Sequence, residues 1–355
     1  MSLFETDKSA DRIPVSVLTG FLGSGKTTLL NALLKNPALA DTAVIVNEFG
    51  EVGLDHLLME SVDGEMTVMA SGCICCTIRS DLETTLRELL SRARTGTLPR
   101  FRRVVVETTG LADPAPIVQM LLNNPLVSGF FRLDAVITTV DTMHGLVQLD
   151  AQPEAVKQAA MADRLILTKT DLAKPDAVRA LDRRLAALNP TAERIRSVAG
   201  AVEPGRLFDA GWYDPQTKTP DVQRWLRDEA LEAESRHAHD HHAGHPHLHD
   251  TNRHGSDIAA FSLTFDAPLD WGRVNLWLAA LRERHGDRLL RVKGILNLDD
   301  EPMPVVIHGV HHVFHSPARL SDWPEGDRRS RIVFITRGLD EATVRSFWED
   351  VSAAA

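Results

Sequence analysis

Along the first two hundred or so residues, short apolar runs rich in β-branched side chains alternate with longer stretches whose apolar positions recur at helical spacing. Residues 14–19, 43–47, 66–70, 103–107, 135–140, 164–168 and 193–197 read as strands. Residues 26–34, 79–94 and 175–188 read as helices between them. Strands separated by helix-length segments predict a doubly wound α/β domain with a mostly parallel sheet, covered by helices on both faces. The continuous run Val104-Val105-Val106 suits a strand buried on both sides.

The pattern breaks near Pro215. Residues 222–235 keep a helical spacing, but residues 237–254 are low-complexity sequence with eight histidines and nothing to form a core. That stretch is expected to be a mobile linker. Order returns at Asp257 with a strand at 259–265 and a helix whose apolar stripe is Val274, Trp277, Leu278 and Leu281. Strands near 289–298, 304–314 and 331–336 and a closing helix at 340–351 complete a smaller α+β domain. The expected division is 1–213 for the first domain, 214–256 for the helix and histidine-rich linker, and 257–355 for the second domain.

Composition narrows the classes of function. Hydrophobic residues at 43% supply a real core, and a net charge of −10 argues against a nucleic-acid partner, which calls for a basic face. No apolar run approaches the roughly 18 residues that span a bilayer, and residues 1–12 are polar without a signal-peptide core. All three cysteines fall in Cys73-Ile74-Cys75-Cys76, which cannot make a disulfide framework. A reducing, cytoplasmic compartment is therefore expected.

The segment Gly20-Phe21-Leu22-Gly23-Ser24-Gly25-Lys26-Thr27 fits the G-x-x-x-x-G-K-[ST] phosphate loop at every fixed position and lies between a strand and a helix. Backbone amides in such a loop turn inward around phosphate, and the helix N-terminus adds a favourable partial charge. Gly20, Gly23, Ser24 and Gly25 form the cradle, Lys26 reaches toward the β- and γ-phosphates, Thr27 toward magnesium and Thr28 toward the α-phosphate. Glu107 ends an apolar strand, where an acidic residue acts on magnesium or its water shell. With Lys26 it is the candidate catalytic residue, and Gly110 is placed to sense a γ-phosphate through its N–H. Thr168-Lys169-Thr170-Asp171 follows another strand. A carboxylate at Asp171 accepts from guanine N1–H and N2–H2, a pair that adenine does not offer. The usual guanine motif begins with Asn, where this chain has Thr168.

Three thiols in one tetrapeptide beside Gly72 are unlike the isolated buried cysteine of a protein core. Thiolates select zinc or Cu(I) over magnesium and calcium, and three of them leave one tetrahedral position for a further ligand. Between the phosphate loop and the thiols, residues 47–56 contain glycines that permit rearrangement, together with Glu48, Glu51, Asp55 and His56. Glu48 is the candidate ligand toward zinc and Asp55 toward magnesium. The histidines at 237–254 read as a solvated linker that collects metal loosely, or as a buffer that raises local metal concentration. His308, His311, His312 and His315 fall on an expected strand, where alternation sends His308 and His312 to one face and His311 and His315 to the other.

Taken together, Thr19-Gly-Phe-Leu-Gly-Ser-Gly-Lys-Thr-Thr28, Asn47-Glu-Phe-Gly-Glu51, Gly72-Cys-Ile-Cys-Cys76, Glu107-Thr-Thr-Gly-Leu-Ala-Asp-Pro114 and Thr168-Lys-Thr-Asp171 resemble the CobW-type metallochaperone GTPases. These are P-loop GTPases related to the nickel-insertion proteins of urease and hydrogenase. Val292-Lys-Gly-Ile-Leu and Ile307-His-Gly-Val are similar to the second domain of that family. The resemblance implies a P-loop GTPase domain, magnesium-dependent hydrolysis of GTP to GDP, zinc or cobalt at Cys73, Cys75 and Cys76, and transfer of the metal to a client metalloprotein. A homo-oligomer is left open. Two other readings compete: a passive zinc store or sensor, and a P-loop kinase or ATPase acting on a small molecule. The second gives no reason for the thiol cluster or for Asp171.

Overall fold

The computed structural model describes residues 12–47, 59–62, 66–69, 74–78, 82–208, 258–315, 317–320, 322–323 and 327–354. Glu48, Asp55, His56 and Cys73, the expected helix at 222–235 and the histidine-rich stretch lie outside them. The chain forms two compact units, each with its own sheet.

The first sheet contains β1 (Ile13–Gly20), β2 (Thr42–Asn47), β3 (Met59–Val62), β4 (Met66–Met69), β5 (Ile74–Ile78), β6 (Arg103–Glu107), β7 (Phe131–Asp141), β8 (Arg164–Thr168) and β9 (Glu193–Arg196). It is a 9-stranded sheet in the order β3-β4-β5-β2-β6-β1-β7-β8-β9. From β5 to β9 all neighbours are parallel, and β3 and β4 add an antiparallel edge. The helices are α1 (Lys26–Leu34), α2 (Leu82–Arg94), α3 (Ala115–Asn123), α4 (Pro125–Ser128), α5 (Gly145–Ala151), α6 (Pro153–Met161) and α7 (Pro175–Leu188). β1 lies between β6 and β7, so the loop after β1 opens where crossovers leave in opposite directions along the sheet, the usual ligand crevice of such folds. The apolar residues of β1, β2, β6 and β8 are almost wholly buried, as continuous hydrophobic strands require.

Two sequence expectations change here. β7 begins at Phe131, earlier than the apolar run at 135, because Arg132 and Asp134 are buried within it and Ser16 Oγ donates to Asp134 Oδ2 at 2.7 Å. The thiol tetrapeptide runs into a strand that the sequence pattern did not announce. Cys75 and Cys76 of β5 pair with Val44 and Ile45 of β2 and with Thr67 and Met66 of β4.

The second sheet joins β10 (Ile258–Phe265), β11 (Leu289–Leu296), β12 (Val305–Val310), β13 (Val313–Phe314), β14 (Ala318–Arg319) and β15 (Ser330–Arg337), all antiparallel. Its helices are α8 (Trp271–His285) and α9 (Glu341–Ala354). Asp270 caps α8 by accepting from the Arg273 amide at 2.7 Å. The predicted stripe Val274, Trp277, Leu278 and Leu281 is buried in the core of this unit. Trp277 packs edge-on to Phe265, Phe334 and Trp348, and its indole N–H donates to Val344 O at 3.1 Å.

The expected strand at 304–314 is instead a hairpin, with Val310 opposite Val313 and His311 at φ 51°. His311 and His312 form its turn, so the alternation expected for the four histidines is overturned. His315 N–H donates to His308 O at 2.9 Å, which makes these two cross-strand neighbours. His312 is exposed and contacts Asp287 Oδ1 at 2.8 Å.

Candidate nucleotide site

β1 delivers the chain into the loop at 20–27. Gly25 takes φ 91°, a left-handed conformation that glycine enters without a Cβ penalty, and α1 starts directly after it. Lys26 is buried, and its Nζ donates to Gly20 O at 2.8 Å and Phe21 O at 3.3 Å. The ammonium is thus held over the loop by neutral carbonyls, for which an anionic phosphate oxygen is a stronger substitute acceptor. Ser24 and Thr139 hydroxyls bond at 2.7 Å and fix the loop to β7. Gly23, Thr27 and Thr28 are exposed around this cradle.

Thr27 Oγ1 donates to Glu107 Oε1 at 2.8 Å, and Glu107 is buried at the end of β6. A hydroxyl and a carboxylate meeting at the start of α1 form a hard oxygen donor pair, which fits magnesium. The chain after Glu107 stays attached to β1: Thr108 N–H donates to Leu18 O at 2.9 Å, and the Thr108 hydroxyl donates to Thr19 Oγ1 at 2.8 Å. Gly110 then passes so close to the phosphate loop that a Cβ there would lie 2.7 Å from Leu22 N. Only glycine fits.

On the other side, the departure at Thr168 has a structural explanation. Its hydroxyl donates to Ser24 O at 2.7 Å and Val140 O at 3.2 Å, tying the end of β8 to the phosphate loop. Lys169 has φ 56°, a conformation that costs a non-glycine residue on the order of 1 kcal/mol. It is held there by Nζ bonds to Gly23 O and Asp141 Oδ2, both at 2.8 Å. Asp171 is exposed beside this tie, open to a ligand.

Sequence reading missed Asp141, Thr139, Ser197 and Gln158. Asp141 is buried at the end of β7 and accepts from Lys169 Nζ and the Met143 amide, with His144 Nδ1 at 3.0 Å. Burial alone would raise its carboxyl pKa, but the bonds from Lys169, His144 and Met143 and the lysine charge hold it below the usual value. Its only sequence signal is an acid ending an apolar run. Ser197 O accepts from Thr170 Oγ1 at 3.3 Å, bringing the loop after β9 to the same edge. Gln158 lies on α6, with no sequence signal at all.

Cys73 and Glu48 lie outside the described residues, as does the magnesium candidate Asp55, and Cys75 and Cys76 are placed by backbone pairing alone. Among the described residues no group of three His, Cys, Asp or Glu forms a metal cluster. β5 is separated from β1 by β2 and β6, about 14 Å across the sheet at ordinary strand spacing.

A phosphate loop after β1, an acid ending β6 and a braced Lys-x-Asp segment after β8, all at one edge of a doubly wound sheet, define a P-loop nucleotide-binding protein. Residues 14–196 match the CobW/HypB/UreG nucleotide-binding domain and residues 258–352 the cobalamin synthesis protein CobW C-terminal domain. The chain belongs to the CobW/HypB/UreG family. Zinc chaperone YjiA of Escherichia coli is 33% identical over 338 residues, spanning 94% of this chain and 97% of that protein. Zinc-regulated GTPase metalloprotein activator 1 of Schizosaccharomyces pombe is 29% identical, over 95% of this chain and 85% of that protein. The crystal structure of Zn(II)-bound YjiA GTPase from E. coli aligns with a TM-score of 0.74 at 31% identity, covering 96% of this chain and 99% of that one. A Zn(II)-bound variant of that GTPase, with one glutamate and two cysteines replaced by alanine, aligns equally well.

Proposed function

We propose that this chain is a GTP-hydrolysing metallochaperone that binds zinc at Cys73, Cys75 and Cys76 and passes it to a client protein under nucleotide control. The observation that carries the nucleotide half is the convergence at one sheet edge of Lys26 over the phosphate loop, the Thr27–Glu107 pair and the Thr168–Lys169 brace. In this reading Lys26 exchanges its carbonyl contacts for the β- and γ-phosphates, while backbone amides at 20–27 hold the phosphate chain. Thr27 and Glu107 would hold magnesium, with Asp55 as the further candidate, and the bound ion neutralises charge on the phosphates. Asp171 accepts from guanine N1–H and N2–H2, and Thr168 supplies the tie to the phosphate loop that makes Lys169 and Asp171 rigid.

β2 and β6 lie between β5 and β1, which supports a coupling that runs through segments responding to both thiols and phosphates. Those are residues 47–55, with Glu48 offered to zinc, and the turn after Glu107. The differential zinc affinity between nucleotide states is a coupling free energy of about 1–3 kcal/mol, or roughly 5- to 150-fold. Cobalt is the alternative cargo, and the histidines at 237–254 would concentrate either ion near the thiols. We take 1–213 as the GTPase domain and 257–355 as a second domain that completes the client-binding protein.

The test is zinc affinity by competition with a chromophoric chelator, in GDP and in a non-hydrolysable GTP analogue with magnesium, for the wild type and Cys75→Ala. A several-fold difference between the two nucleotide states that vanishes in the variant is expected. Equal affinity in both states of the wild type would overturn the gating and leave passive storage as the better account.

A further inference from the structure

The turn that follows Glu107 is gripped from behind by α6. Gln158 is wholly buried, and its Nε2 donates to Gly110 O at 3.1 Å and to Ala112 O at 3.0 Å. Both partners are carbonyls, which fixes the orientation of the carboxamide. Its Oε1 is buried with no hydrogen-bond partner among the described residues. An unpaired buried amide oxygen is unfavourable, and a methionine of the same length would avoid it. What glutamine supplies at this position is therefore the pair of donated bonds. The preceding residue adds a second hold, Lys157 Nζ to Asp113 Oδ2 at 3.0 Å. On its far side the turn presses on the phosphate loop, where Gly110 meets Leu22. α6 is itself fastened to the sheet, since Thr138 Oγ1 of β7 donates to Gln158 O at 2.9 Å.

We propose that Gln158 is a positioning residue for GTP hydrolysis: its carboxamide fixes the carbonyls of Gly110 and Ala112, so that the Gly110 amide keeps its place beside the phosphate loop. This rests on the nucleotide lying at residues 20–27 as proposed above. GDP has no γ-phosphate for the turn to meet, so the clamp acts on turnover of GTP and leaves GDP binding alone. Displacing a group that faces the reacting phosphate by about 1 Å costs rate on the order of 100-fold.

The experiment compares wild type, Gln158→Met and Gln158→Asn for kcat and KM of GTP hydrolysis, dissociation constant for fluorescent GDP, and melting temperature, with Lys26→Ala alongside. Gln158→Met is expected to lower kcat by on the order of 10- to 100-fold with KM and GDP affinity unchanged. Gln158→Asn, whose shorter amide reaches one carbonyl, is expected to fall between. Unchanged kcat in both variants overturns the proposal, as does a parallel loss of kcat, KM and GDP affinity, which marks a purely structural role. If Gln158→Met does not fold, the same criteria applied to Gln158→Asn decide. Lys26→Ala binding GDP as tightly as the wild type would instead sink the nucleotide site itself, so the two failures are separable.

Discussion

The two sheets bury polar side chains in different places. In the parallel sheet Ser16, Arg132, Asp134 and Arg164 are buried along the strands, but a further set gathers at the carboxyl ends: Thr19 on β1, Glu107 on β6, Thr139 and Asp141 on β7, Thr168 on β8. Members of that set tie strand ends to the phosphate loop, to the start of α1 or to the segment after β8: Thr139 to Ser24, Glu107 to Thr27, Thr168 to Ser24 and Asp141 to Lys169. In the antiparallel sheet Arg291, Lys293 and His308 are buried within strands, Lys293 in register with His308 and Val333. Parallel strands all leave the sheet at the same edge, so their polar ends and loops meet there. Antiparallel strands leave at alternate edges, and their polar residues are dispersed. The chemistry of this protein follows that difference, which is a property of topology more than of composition.

The contrast is open to attack at both ends. The largest expected effect is in the second unit: Trp277→Ala removes the centre of the Phe265–Phe334–Trp348 cluster and should cost about 3–5 kcal/mol in urea unfolding followed by circular dichroism. GDP affinity should be unaffected, and an equal loss of it would erase the contrast. Next in size is Thr168→Val, which keeps the shape but removes the bonds to Ser24 O and Val140 O. A loss of about 1–3 kcal/mol in stability with weaker GDP binding is expected, and Thr168→Ser should restore both. A Thr168→Val protein indistinguishable from wild type would show that the strand-end tie is ornamental.

The smallest effect is a pH dependence. Asp141 has a folded pKa below its model-peptide value of 3.8. Its contribution to stability is therefore present above that value and is lost as the pH falls through the lower folded one. The urea midpoint of Asp141→Asn should lie below that of wild type at neutral pH, and the gap should close under strongly acid conditions. A gap independent of pH would mean that the carboxylate charge plays no part in holding Lys169.

Much of the site was legible because its parts are local. The phosphate loop, Glu107 and the Thr168–Asp171 segment each combine a fixed spacing with the end of an apolar strand, and both are written within a dozen residues. The hairpin at His311 and His312 was missed because its turn carries none of the glycine or asparagine that a positive φ usually calls for, while alternation ran on through it. Asp141 and Gln158 escaped because each is a single polar residue whose tie to the site, Lys169 for one and Gly110 and Ala112 for the other, lies far along the chain.

The sequence by itself determined the alternating α/β pattern, the phosphate-loop motif and the clustering of all three cysteines in one tetrapeptide, since each depends on residue type and short spacing. Only the tertiary structure decided that Thr168 braces the phosphate loop, that Asp141 holds Lys169, that Gln158 grips the turn beside Gly110, and that two strands separate β5 from β1. These are contacts between segments distant in the chain, and strand order, which sets them, follows from how whole crossovers pack.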